Sequence, residues 1–218
     1  YNMKHQLLTW ILLVITGLSY GQKIPKSISE SDLSIGKSIK IESTILGEIR
    51  DLNIYLPLIY SNDSSKPYPV IYLLDGAINE DFIHISGIVQ FGSFSWINMI
   101  GNVDRKRDFT SPSDNALDQK EFPTSGKSAN FIAFLENELQ PFIDSTFRTT
   151  QTKTIIGQSL GGLLATEILF KKPGLFDNYI IVSPSLWWDD EKLLDAKLTS
   201  YDATKAIYIA GGKEGEVM

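Results

Sequence analysis

Polar and apolar residues alternate through residues 38–44 (SIKIEST) and again through residues 50–56 (RDLNIYL). A period of two puts every second side chain on one face, so both runs predict half-buried strands. The Leu46-Gly47-Glu48 turn between them predicts an antiparallel hairpin. Residues 61–67 (SNDSSKP) read as a surface loop. The pattern then changes. Residues 68–74 (YPVIYLL) form a near-continuous apolar run, the mark of a strand covered on both faces. Residues 179–182 and 206–210 read the same way, and residues 153–156 are a short β-prone run. Between these runs, residues 81–90 predict a helix, residues 96–100 a less apolar strand, and residues 163–170 an apolar helix. Residues 105–127 are polar and read mostly as loop. Ser128 is placed to cap a long helix through Phe147, with Phe131, Phe134, Leu135, Leu139, Phe142 and Ile143 on its buried face and a bend at Pro141. Strands alternating with helices after residue 68 predict an α/β fold with a mainly parallel sheet, the hairpin lying at its edge.

The first residues stand apart. A weakly positive start (Met3-Lys4-His5), an apolar run from Leu7 to Ile15 and small residues at Ser19 and Gly21 predict a signal peptide over residues 1–21, with Gln22 as the new N-terminus. The apolar run is short for a membrane span, so no stable membrane insertion is expected after cleavage. Residues 22–37 read as a loose lead-in and residues 38–218 as one folded domain. A net charge of -6 argues against a nucleic-acid partner, which needs a basic footprint. The absence of cysteine excludes disulfides, thiolate metal sites, thiol catalysis and a lipoprotein anchor.

The chemistry concentrates at Gly157-Gln158-Ser159-Leu160-Gly161-Gly162. G-x-S-x-G between a strand and a helix is the pattern of a nucleophile elbow, in which Ser159 is presented on a tight turn. The neighbouring Leu160 N–H opens a helix, where backbone donors lack intrahelical partners, and so can hold an oxyanion. A second donor is expected in the loop after the first buried strand, at Ala77 N–H or, failing that, Gly76 N–H. The loop after residues 206–210 carries Glu214, the candidate acid, with Glu216 as second choice. A serine also needs a base to take its proton. The sequence holds two histidines, His5 in the signal segment and His84 in the helix after Gly76. His84 is read as a packing or pocket residue rather than a substitute base. The expected order of nucleophile, acid and histidine then puts the base beyond residue 218, with a last strand and helix missing from this chain. A fragment of this kind is expected to be inactive, and to associate through the exposed strand around Ile207.

Residues 68–76 (YPVIYLLDG), 84–89 (HISGIV), 102–110 (NVDRKRDFT), the GQSLGG elbow and 183–188 (SPSLWW) together resemble an esterase family of α/β-hydrolases. That family includes enterochelin (siderophore) esterases and is related to esterase D and the mycobacterial mycolyltransferases. The resemblance implies an α/β-hydrolase fold with helices on both faces of the sheet, and an ester hydrolase that uses no cofactor and no metal. It implies Ser159 as nucleophile, Leu160 and Ala77 as oxyanion donors, and an acid in the Gly-Lys-Glu loop. It further implies that Arg105 and Arg107 lie near the pocket, holding substrate oxygens or pairing internally. Trp187 and Trp188 are read either as pocket walls or as packing. The expectation is an exported serine esterase, periplasmic or secreted by a bacterium, acting on a small-molecule ester; an acyltransferase would use the same residues. The competing reading is a non-catalytic binding module or inactive remnant on the same scaffold.

Overall fold

Residues 24–32, 34–57, 60, 66–92, 96–100, 104–197 and 204–212 are described by a computed structural model. The chain divides into two compact units, Tyr1–Ser34 and Ile35–Met218. The described part of the first carries neither helix nor strand. The predicted signal segment lies outside the described residues.

The second unit is built on a seven-stranded sheet of order β1-β2-β4-β3-β5-β6-β7. β1 (Lys37–Ser43) and β2 (Glu48–Tyr55) form the antiparallel hairpin, in the register Ile39 to Leu52. β4 (Trp96–Ile100) joins the hairpin to the parallel part, lying antiparallel to β2 and parallel to β3 (Tyr68–Leu73). β5 (Thr149–Gln158), β6 (Asn178–Val182) and β7 (Ala206–Ala210) continue the parallel sheet.

β3 shows why the apolar run was continuous. Val70 and Tyr72 enter the large core with Ile155, Tyr179 and Ile181, while Leu73 and Ile71 face a smaller core with Phe82 and Val89. Both faces are covered, so alternation disappears from the sequence. The smaller core is capped by α1 (Phe82–Gly92). The larger one is filled by α4 (Ser128–Phe134), a π-helical turn (Leu135–Leu139), α5 (Gln140–Thr146) and α6 (Leu160–Lys171). α6 is buried at every residue from Leu160 to Leu169, which is why it reads as apolar all round.

Three local expectations are corrected. Ser128 does not cap α4: Lys127 holds the cap position without a side-chain bond, and Ser128 Oγ is buried with no hydrogen-bond partner among the described residues. The single helix expected through Phe147 is interrupted upstream of Pro141 by a π-helical turn over Leu135–Leu139. Proline lacks the amide for an i→i−4 bond and crowds the preceding turn, and a widened turn relieves both. The polar stretch read as loop holds two short helices, α2 (Arg105–Phe109) and α3 (Ala116–Glu121). Asp104 caps the first by accepting Arg107 N–H, and Asn115 caps the second by accepting from Leu117 and Asp118.

β7 is the outer strand of the described sheet, with Tyr208 61% and Ile209 60% exposed. Among the described residues, no helix is long and apolar enough to cross a membrane.

Candidate active site

Ser159 sits between the end of β5 and the start of α6, at φ 53° and ψ −118°. A non-glycine residue rarely holds such a conformation, and it persists only where its surroundings fix it. Here the surroundings are explicit. Ser159 N–H donates to Val182 O at 3.0 Å, and Ser159 O accepts from Leu163 N at 2.9 Å and Ser185 N at 3.1 Å.

The flanking glycines allow the turn. A Cβ on Gly157 would lie 2.3 Å from Gly161 O, closer than any real contact. A Cβ on Gly161 would meet Asp75 Oδ2 at 3.1 Å and Leu74 Cβ at 3.2 Å. The second contact shows that α6 starts directly against the corner that follows β3, so the Ser159 turn and the Asp-Gly corner adjoin.

That corner is itself strained, with Asp75 at φ 60°. Arg105 holds its carboxylate with two bonds, Nε to Oδ1 at 2.9 Å and Nη2 to Oδ2 at 2.8 Å. Asn53 Nδ2 donates to Gly76 O at 3.0 Å, which ties the corner to the hairpin. Asp75, Glu80, Asp81, Arg105, Gln158 and Ser159 line a shared cavity of about 320 Å³. The Ser159 hydroxyl oxygen lies 3.2 Å from that of Ser185, which is buried.

The two expected oxyanion donors differ in state. Leu160 is the first residue of α6, so its N–H has no intrahelical partner. Ala77 N–H donates to Glu80 Oε2 at 2.9 Å. Glu214 and Glu216 lie outside the described residues.

Of the residues expected at the pocket, Arg105 lines the cavity. Arg107 does not. Its Nη2 pairs with Glu48 at 2.6 Å and its Nε with Asp108 at 2.7 Å. Asp108 and Glu48 also each lie 2.5 Å from Nη2 of the fully buried Arg50. The hydrogen bonds to Asp108 and Glu48 raise the Arg107 pKa further. The same bond from Arg107, helped by Arg50 and opposed by burial, holds the Glu48 carboxyl below its ordinary range. This quartet clamps α2 to the hairpin and so positions Arg105.

Trp188 also lies outside the cavity lining. It is buried, donates from Nε1 to Ser111 O at 3.0 Å, and lines a separate cavity with Leu163, Glu167 and Asp189. Trp187 is 42% exposed and rests near Phe122 and Trp188, outside the lining of the Ser159 cavity. His84 is exposed on α1 and is not part of that lining either. Among the described residues, no group of three or more acidic or histidine side chains can hold a metal ion.

Asp75, Glu80 and Ser185 were not singled out from sequence. Asp75 carried a usable signal, an acid before glycine at a strand end. Ser185 lay within the SPSLWW segment without a role of its own.

A family model described as "Putative esterase" matches residues 43–218. The chain belongs to this esterase family. It is 32% identical over 172 residues to the ferri-bacillibactin esterase BesA of Bacillus subtilis, covering 66% of this chain and 58% of the relative. It is 28% identical over 172 residues to a siderophore triacetylfusarinine C esterase of Aspergillus fumigatus, covering 67% and 56%. The chain thus spans little more than half the length of these relatives. Among solved structures, an IroE-like serine hydrolase from Shewanella oneidensis superposes with a TM-score of 0.67 at 33% identity, over 73% of this chain and 54% of that one. The BES protein from Bacillus cereus gives 0.66 at 30%, over 79% and 70%. These neighbours share the α/β-hydrolase architecture seen here.

Proposed function

We propose that this chain carries the nucleophile and oxyanion half of a serine esterase. The observation that supports this best is the backbone of Ser159, held at φ 53° and ψ −118° at a strand-to-helix turn that opens into a polar cavity. Ser159 Oγ attacks the ester carbonyl as its proton passes to a base. The carbonyl oxygen becomes an oxyanion beside Leu160 N–H and Ala77 N–H. Collapse breaks the bond to the alcohol, which leaves with a proton and gives an acyl-serine. Water then attacks that acyl group, releases the acid and restores Ser159.

The base is assigned to a histidine outside these 218 residues, since His84 is absent from the cavity lining and the relatives are longer. Glu214 is assigned as the acid that orients it. Residues 1–21 are assigned as an export signal, which places the mature enzyme in the periplasm or outside the cell. The named activities of the two relatives support a siderophore ester as substrate. Arg105, fixed by Asp75 inside the cavity, is assigned to hold oxygens of that substrate.

Hydrolysis of p-nitrophenyl butyrate by the full-length protein and by Ser159→Ala tests the reading. The substitution is expected to remove about 10³-fold or more of the rate. Equal rates would return the chain to the binding-module reading.

A further inference from the structure

Glu80 stands in an unusual place for a simple turn residue. Its Oε2 accepts Ala77 N–H at 2.9 Å, and its side chain lines the cavity that holds Ser159. Ala77 N–H is the donor assigned above to the oxyanion. A negatively charged oxygen on that amide is the same chemical object that the reaction must place there. One N–H cannot serve two anionic oxygens at full strength.

We propose that Glu80 is a resident stand-in for the oxyanion, which must leave Ala77 before the acyl-serine forms and thereby limits which esters react. This rests on the reading of Ser159 as nucleophile. The carboxylate can leave without dismantling the turn, because backbone bonds hold the turn independently. Glu80 N–H donates to Ala77 O at 3.0 Å, and Asp81 N–H donates to Asp75 O at 3.3 Å. Asn53 Nδ2 also donates to Gly76 O. Ala77 N–H therefore stays aimed when the side chain swings. Glu80 is exposed, so the swing meets little packing. Arg105 offers a cation in the same cavity to the departing carboxylate. An ester reacts well when its carbonyl oxygen displaces Glu80, and the charged occupant taxes every substrate that binds too weakly to do so.

The rival account is local: a Glu three residues after an amide reaches back to cap it, as in a capping box. The two accounts predict opposite signs. In the full-length protein, Glu80→Ala is expected to raise kcat/KM for p-nitrophenyl butyrate about three- to tenfold, the worth of one freed hydrogen-bond donor. The affinity for phenylboronic acid, whose tetrahedral serine adduct places an oxygen on the same donors, should tighten by a similar factor. Glu80→Gln keeps the shape, removes the charge and should fall between. A Glu80→Ala protein with unchanged or lower kcat/KM and unchanged boronate affinity would overturn the gate and leave the cap. If Glu80→Ala does not fold, Glu80→Gln decides by the same two readouts. Ser159→Ala separates the layers. Loss of hydrolysis there without any gain in the Glu80 variants sinks only the gate, whereas retained hydrolysis sinks the nucleophile reading beneath it.

Discussion

The hydroxyl oxygens of Ser159 and Ser185 lie 3.2 Å apart, and Ser185 N–H also donates to Ser159 O at 3.1 Å. Ser185 thus touches the elbow twice, from a loop that itself starts with Ser183 at φ 40°. Its hydroxyl restricts the rotamers of Ser159. Ser185→Ala is expected to lower kcat about three- to tenfold through loss of one modest hydrogen bond, with KM little changed. Steady-state kinetics on a p-nitrophenyl ester read the split. A rise in KM at constant kcat would instead place Ser185 on the substrate.

The elbow is also a demand on the fold. Gly157→Ala forces a methyl to 2.3 Å from Gly161 O, with both groups backbone-fixed. Overpacking in a rigid place typically costs about 1–3 kcal/mol, and a backbone clash exceeds that. Urea denaturation should show a loss of more than about 3 kcal/mol, or no folded protein. Unchanged stability would mean that α6 does not start where it is described.

Two ion pairs made by hairpin residues should behave oppositely. Arg50 and Asp108 are 0% and 2% exposed, whereas Lys40 and Asp51 are 70% and 52% exposed. Asp108→Ala leaves a buried guanidinium short of a partner and should cost about 3–5 kcal/mol. Asp51→Ala should cost under about 1 kcal/mol and less in high salt. Chemical denaturation of both variants makes the comparison.

Glu48 gives the clamp a pH dependence. Its carboxyl is held below the ordinary value of 4.5, first by the bond from Arg107, against the opposing effect of burial and with the help of Arg50. A depressed folded pKa means the stabilisation is complete above the ordinary value and fades as pH falls through the lower one. Stability measured from pH 6 downward should decline more steeply in the native protein than in Glu48→Gln. Parallel declines would show that Glu48 does not carry the effect.

The hairpin, the buried strands and the elbow were legible because each follows a period or a fixed motif. The pairing of residues 38–44 with 50–56 follows from alternation and the Gly47 turn, and the continuous run at residues 68–74 from burial on both faces. What escaped was short or non-local. α2 and α3 are five and six residues long, shorter than any hydrophobic period can mark, and only their Asp104 and Asn115 caps betray them. The π-helical turn at Leu135–Leu139 keeps the apolar face in step, so only Pro141 hinted at irregularity. At the site, sequence located Arg105 and Arg107 together but could not assign them. The decision comes from partners far along the chain, Asp75 for one and Glu48 with Asp108 for the other. Trp188 reads by type as either pocket wall or packing, and only its partners show the indole N–H bonded to Ser111 O and the ring packed on Phe122.

The central claim is tested most directly by trapping the covalent intermediate. The full-length protein is mixed with p-nitrophenyl butyrate, quenched in acid within milliseconds, digested and examined by mass spectrometry. The account predicts a butyryl mass on the peptide that contains Ser159, absent in Ser159→Ala together with the release of p-nitrophenol. Turnover that proceeds with no adduct on that peptide, and that survives the substitution, would contradict it.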